Sequence, residues 1–91
     1  MVYVLAQLKL ENFQRWKAVF DQRVSVRKEA GSKEAHLFLN SNDDTEAVIL
    51  FDWDTLENAR EYMESDVLRE ALKNVGATYT TTYLDEVEIT T

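Results

Sequence analysis

Cysteine and proline are absent from this 91-residue chain, glycine occurs twice and histidine once. Without thiols there is no disulfide framework, no thiolate nucleophile and no sulfur-bound zinc. Two distant glycines cannot make a phosphate-cradling loop. The NDDTE segment, residues 42–46, lacks the ligand spacing of a calcium loop, so no metal is expected. Basic residues are few as well: ten Lys and Arg stand against seventeen Asp and Glu, for a net charge of −7. Such a surface repels phosphate backbones and anionic lipid, so neither nucleic acid nor membrane is an expected partner. No apolar run approaches the roughly 20 residues of a membrane span. The opening MVYVLAQLKL has no basic start and no cleavage site, so a cytoplasmic location is expected.

What is present is a globular composition, 45% hydrophobic, in one expected domain over residues 1–91. A chain this short buries about 60 to 65% of its unfolded surface, so a second subunit would add stability. VYVLAQLKL has the β-branched and aromatic content of a strand. ENFQRWKAVFDQRVSVRKEAGS reads as one helix, with Phe13, Trp16, Phe20 and Val24 in an apolar stripe. Gly31 stands just past its end, and Arg27 and Lys28 sit near the negative pole of its dipole. EAHLFLN and EAVILFDW read as a hairpin around the turn-forming SNDD. A second helical segment opens at Asp54, with Glu57 three residues on in the manner of a capping box, and ends at Gly76. TYTTTYLDEVEI is the last strand.

The order β-α-β-β-α-β predicts a ferredoxin-like α+β fold: a four-stranded antiparallel sheet with helices on one face and the first and third strands central. In the third strand Ala47, Ile49, Phe51 and Trp53 point one way, and Val48, Leu50 and Asp52 the other. Both faces are mostly apolar, whereas a sheet with one wet face alternates apolar and polar. The second face therefore needs cover. A second copy of the chain is the simplest source, which predicts a homodimer with sheets face to face.

The second helical segment changes phase. Leu56, Ala59 and Met63 share one direction; Leu68, Ala71, Leu72 and Val75 lie well over 100° away at about 100° per residue. Ser65 is a preferred N-cap, and Asp66 then falls in a first turn, where negative charge is favoured. This predicts two short helices separated near Ser65. The alternative is one helix whose second half faces a partner subunit.

DWDTLENAREYMESDVLREALKNVG, together with FQRWKAVFDQR and RKEAGS upstream, resembles the antibiotic-biosynthesis-monooxygenase-like proteins of the dimeric α/β-barrel superfamily. The resemblance implies a dimeric barrel with a pocket in each subunit between sheet and helices. The superfamily includes cofactor-free oxygenases of aromatic polyketides, haem-degrading oxygenases, cyclases and proteins of no known activity. The haem-degrading members use an Asn on the first strand and a Trp and an axial His on the second helix. Gln7, Tyr62 and Leu72 stand at the corresponding positions here. Leucine cannot ligate iron, so haem is not expected, and no other cofactor is implied.

Arg23 and Arg27 fall inside the stripe of the first helix, where an arginine is rarely buried without a partner. One reading has them bind an anionic or enol oxygen of a ligand. The other is structural: pairing with Asp52 or a nearby Glu, or long stems reaching water from the core. Trp16, Trp53, Tyr62 and Tyr83 are candidates to line a flat cavity for a planar ligand, or simply core. His36, on the second strand, has no sequence-local nucleophile or carboxylate. With Tyr83 it is a proton-transfer candidate. Three functions follow as alternatives. One is a cofactor-free oxygenase or cyclase-like enzyme acting on a small aromatic or quinone-like molecule. Another is a non-catalytic dimer that binds a metabolite or a protein. The last, an effector-sensing domain of a transcription regulator, needs a DNA-binding domain that these residues do not include.

Overall fold

The computed structural model describes residues 2–90. The elements run β1 Val2–Leu10, α1 Phe13–Gln22, α2 Val24–Glu29, β2 Ser32–Leu39, β3 Glu46–Trp53, α3 Leu56–Met63, α4 Asp66–Lys73 and β4 Ala77–Asp85. The four strands form one antiparallel sheet in the order β2-β3-β1-β4. This is the ferredoxin-like arrangement, with β1 and β3 central as expected. The hairpin is β2–β3, with a register shift between Ser32 and Glu34. β4 stops at Asp85, opposite Val2 of β1, earlier than the strand composition of residues 86–89 predicts.

Alternation divides the sheet. Val4, Ala6, Leu8 and Leu10 of β1 and Ala47, Ile49, Phe51 and Trp53 of β3 are buried under the helices. An aromatic chain crosses this layer from α1 to α3: Phe13, Trp16, Phe20, Phe51, Trp53 and Tyr62, with ring centroids 5.1 to 6.4 Å apart at each step. The indole N–H of Trp53 donates to the carbonyl of Ala30 at 3.0 Å, which ties the end of β3 to the end of α2. Gly31, φ +110°, lets the chain turn there. A Cβ on it would strike the Asp54 carboxylate.

The break at Ser65 is present. Its hydroxyl accepts from the Leu68 N–H at 3.2 Å and donates to the Tyr62 carbonyl at 2.8 Å, so one side chain ends α3 and caps α4. Ala59 and Met63 are buried on α3, and Leu68 and Leu72 on α4, the two directions that the phase slip demands. Leu56, expected in the first set, is exposed. The cap of α3 is Thr55, whose side chain accepts from the Asn58 N–H at 3.1 Å. Asp54 sits one residue outside, accepting from the Thr55 N–H and the Asn58 amide, so the expected Asp54–Glu57 capping box is replaced.

The expected single first helix is instead two. Arg23 leaves the helical well at φ −94°, ψ 9°. The Phe20 carbonyl takes the Arg23 N–H at 3.3 Å and the Arg27 Nη1 at 2.6 Å. In an unbroken helix it would serve Val24. The β-branched Val24 and Val26, with Ser25 between, weaken helical continuation. After the turn Val24 is 43% exposed, and Arg27 takes the buried position at 6%.

Ser65→Ala removes both bonds at the α3–α4 junction. It should lower unfolding free energy by about 1 kcal/mol in urea melts, with the m-value unchanged. A variant as stable as the parent would mean that packing alone sets the break.

Candidate functional site

Between the helices and the buried face of the sheet lies a cavity of about 30 Å³. Its floor is Ala6, Ile49 and Phe51, and its roof Trp16, Phe20 and Leu72. Alanine at position 6, on a central strand, leaves the floor low where the helices converge. The space holds a water or so. It is far below the roughly 150 Å³ that admits a benzene-sized ring.

Arg23, Arg27 and Tyr62 form one wall. The Arg27 guanidinium lies 3.9 Å from the centroid of the Phe20 ring, held by its bond to the Phe20 carbonyl. It stands one short helix beyond the break at Arg23, in α2. Arg23 donates through Nε to the Tyr62 hydroxyl at 3.1 Å, with its Cζ 5.5 Å from the centre of that ring. Among the described residues the Lys and Arg ion pairs are Lys9–Glu46 and Lys17–Asp21, and neither Arg23 nor Arg27 belongs to one. Asp52, the expected partner, lies on the opposite face, across from Tyr3 of β1. Burial pushes the Arg27 guanidinium below its ordinary value, and Tyr62 and Asp21 work against that shift. Arginine nevertheless stays charged at any working pH. A cation is therefore held against an apolar hollow by a carbonyl and a ring face, with no carboxylate within ion-pair distance among the described residues.

Of the residues singled out in the sequence, Trp16, Arg23, Arg27 and Tyr62 meet at this cavity. Trp53 is fully buried behind Phe51 and Tyr62 and does not line it. Tyr83 lies on the helix side of β4, but its hydroxyl donates to Glu64 at 2.7 Å, away from the hollow. Burial, then that bond to Glu64, raises its pKa, so it keeps its proton. Gln7 and His36 face the other side of the sheet, in register with Val48 and Leu50 respectively. Tyr79 was not anticipated. It lines the cavity, and its hydroxyl donates to the Met63 carbonyl at the end of α3. The alternation of TYTTTY, which puts Tyr79 and Tyr83 on one face, was the available signal.

The chain matches the family model for antibiotic biosynthesis monooxygenase over residues 1–74. It belongs to that family. No curated protein matches the sequence. Among solved structures it is similar to SnoaB, a cofactor-independent oxygenase from Streptomyces nogalater: TM-score 0.79, 13% identity, 97% of this chain and 94% of that one. It is also similar to a protein described as an antibiotic biosynthesis monooxygenase, with TM-score 0.75, 14% identity, and 97% and 100% of the two chains. A dimeric ferredoxin-like protein from an uncultured marine organism matches at TM-score 0.65 and 11% identity, over 100% and 99%. At these identities the likeness is one of fold.

Arg27→Met tests whether the buried cation serves the fold. With no carboxylate to orphan, the variant should unfold within about 1 kcal/mol of the parent, since apolar replacement of buried charge is often neutral. A loss of about 3 kcal/mol or more, the size seen when a buried pair is broken, would make Arg27 structural.

Proposed function

We propose that this member of the antibiotic biosynthesis monooxygenase family acts in the cytoplasm as a homodimer. Each subunit takes a small flat aromatic or quinol-like molecule against Arg27 and, as an enzyme, oxygenates it without a cofactor. The observation that carries this reading is the arginine, 6% exposed and without an acid partner, on the wall of an apolar cavity. A buried unpaired cation is costly. A ligand anion would offset that cost, and the surrounding rings would pack on its faces. Held there, a ring hydroxyl ionises more readily, because an adjacent positive charge favours the anion.

Such an electron-rich anion can react with dioxygen directly. In its keto tautomer the ring carries a CH2 group; dioxygen oxidises it to a carbonyl, one oxygen atom becoming the carbonyl oxygen and the other leaving with the two hydrogens as water. In this scheme the chain excludes water, holds the ring flat on Trp16 and stabilises the oxyanion through Arg27. Neither expected proton acceptor lines the cavity: Tyr83 is bonded to Glu64, and His36 is across the sheet. The substrate would therefore carry a hydroxyl acidic enough to ionise beside Arg27 alone. The same lack of a base favours the second reading, a dimer that binds such a molecule without turning it over.

The homodimer rests on the outer face of the sheet. Its rows are Phe38–Val48–Gln7–Thr80 and His36–Leu50–Leu5–Thr82. Phe38 is 59% exposed, and Leu84 adds to the patch. Beyond β4, Val87 and Ile89 stand 77% and 80% exposed between Glu86 and Glu88. An apolar face of this kind is self-complementary and suits an isologous dimer.

Oxygen uptake with a panel of hydroxyaromatics and quinols decides between enzyme and binder. The enzyme reading expects uptake with at least one compound, reduced by about 100-fold or more in Arg27→Met, the scale of losing one oxyanion contact. Tight binding with no uptake on any compound would select the binder, and neither binding nor uptake would end both readings.

A further inference from the structure

The hydrogen bond between Arg23 and Tyr62 stands between two spaces. Inside is the cavity of about 30 Å³. Outside, a surface groove of about 410 Å³ runs between α2 and the α3–α4 junction, bounded by Val26, Asn58, Glu61 and Val67. Arg23 and Tyr62 are the only described residues that line both. The inner space is too small for an aromatic ring. The outer one has the dimensions of a small-molecule site. The bond joins the α1–α2 break to the last turn of α3, two helix ends whose hydrogen bonding is already interrupted. Movement there disturbs little of the regular backbone. Val26 and Val67, both exposed, offer apolar contact at the mouth. Glu29 and Glu61 make that mouth acidic, so a neutral ring enters more readily than an anion.

Resting on the reading above, we infer that Arg23 and Tyr62 form the latch of the substrate entrance, and that the ligand's oxygen replaces their bond. An incoming ring parts the two side chains, passes from groove to cavity and leaves a ring oxygen, other than the one that ionises beside Arg27, between the Arg23 Nε and the Tyr62 hydroxyl. The closed state keeps both polar groups paired, and the loaded state re-pairs each with the ligand. A plain hydrocarbon ring would leave both unpaired, a costly outcome for a buried hydroxyl and a half-buried guanidinium. The latch therefore selects rings bearing a hydroxyl or oxo group, and Tyr62 and Arg23 are positioning residues for it.

Stopped-flow binding of 2-naphthol, uncharged at neutral pH, followed through tryptophan emission, tests the latch, with 2-methylnaphthalene as the ring lacking oxygen. In the parent, 2-naphthol should bind about tenfold tighter than 2-methylnaphthalene, the worth of one hydrogen bond. Tyr62→Phe and Arg23→Met should each raise the association rate about tenfold and shrink that preference. The double variant should gain no more than either single one, because both remove the same bond. Binding confined to the variants would also support a latch that shuts the parent. Parent binding with unchanged rates in both variants, or gains that multiply in the double variant, would overturn the latch and leave the proposed function standing. No binding by any of the four proteins would overturn both.

Discussion

β3 cannot be left half bare. It lies inside the sheet, flanked by β1 and β2, and carries apolar residues on both sides. On one side Ala47, Ile49, Phe51 and Trp53 are sealed by four short helices. On the other, Val48 and Leu50 stand in line with Leu5, Phe38 and His36, and no element among the described residues crosses them. Each fully covered large side chain is worth about 1.5 to 3 kcal/mol, which a domain of this length needs. The helices meet that demand on one face, and the opposite face carries Val48 and Leu50.

The helical layer meets its half of the demand in pieces. A single straight helix over residues 56–75 would point part of its apolar stripe away from the sheet. Each helical segment is instead interrupted once, at Arg23 and at Ser65. The Ser65 break was legible because the apolar positions before and after it disagree in phase and a capping residue stands between them. The Arg23 break was not. There the stripe runs on through Val24 without a change of phase. The bend is accompanied by the Arg27 side chain on the Phe20 carbonyl, a contact that periodicity does not encode. The two breaks have a common consequence, since they put Arg23 and Tyr62 at facing helix ends.

Strand order and sheet faces could be read from the chain because alternation and hairpin chemistry are local signals. The candidate site was legible only in part. Arg23 and Arg27 stood out as cations in an apolar stripe, and the cavity does gather them with Trp16 and Tyr62. Gln7 stood out by its place in a family pattern, but the pleat sends it to the outer face. Trp53 and Tyr83 share the right face, yet lie too far along their strands. A residue's face follows from counting, but its distance from a hollow depends on packing, and on small residues such as Ala6 that carry no signal of their own.

The account stands most directly on what covers the outer face, and sedimentation equilibrium at micromolar concentration measures it. The expected result is a single species of twice the 10.6 kDa chain mass. A species of one chain mass, persisting as concentration rises, would mean that the outer face of β3 is wet in solution and that the reasoning from its two apolar sides is mistaken.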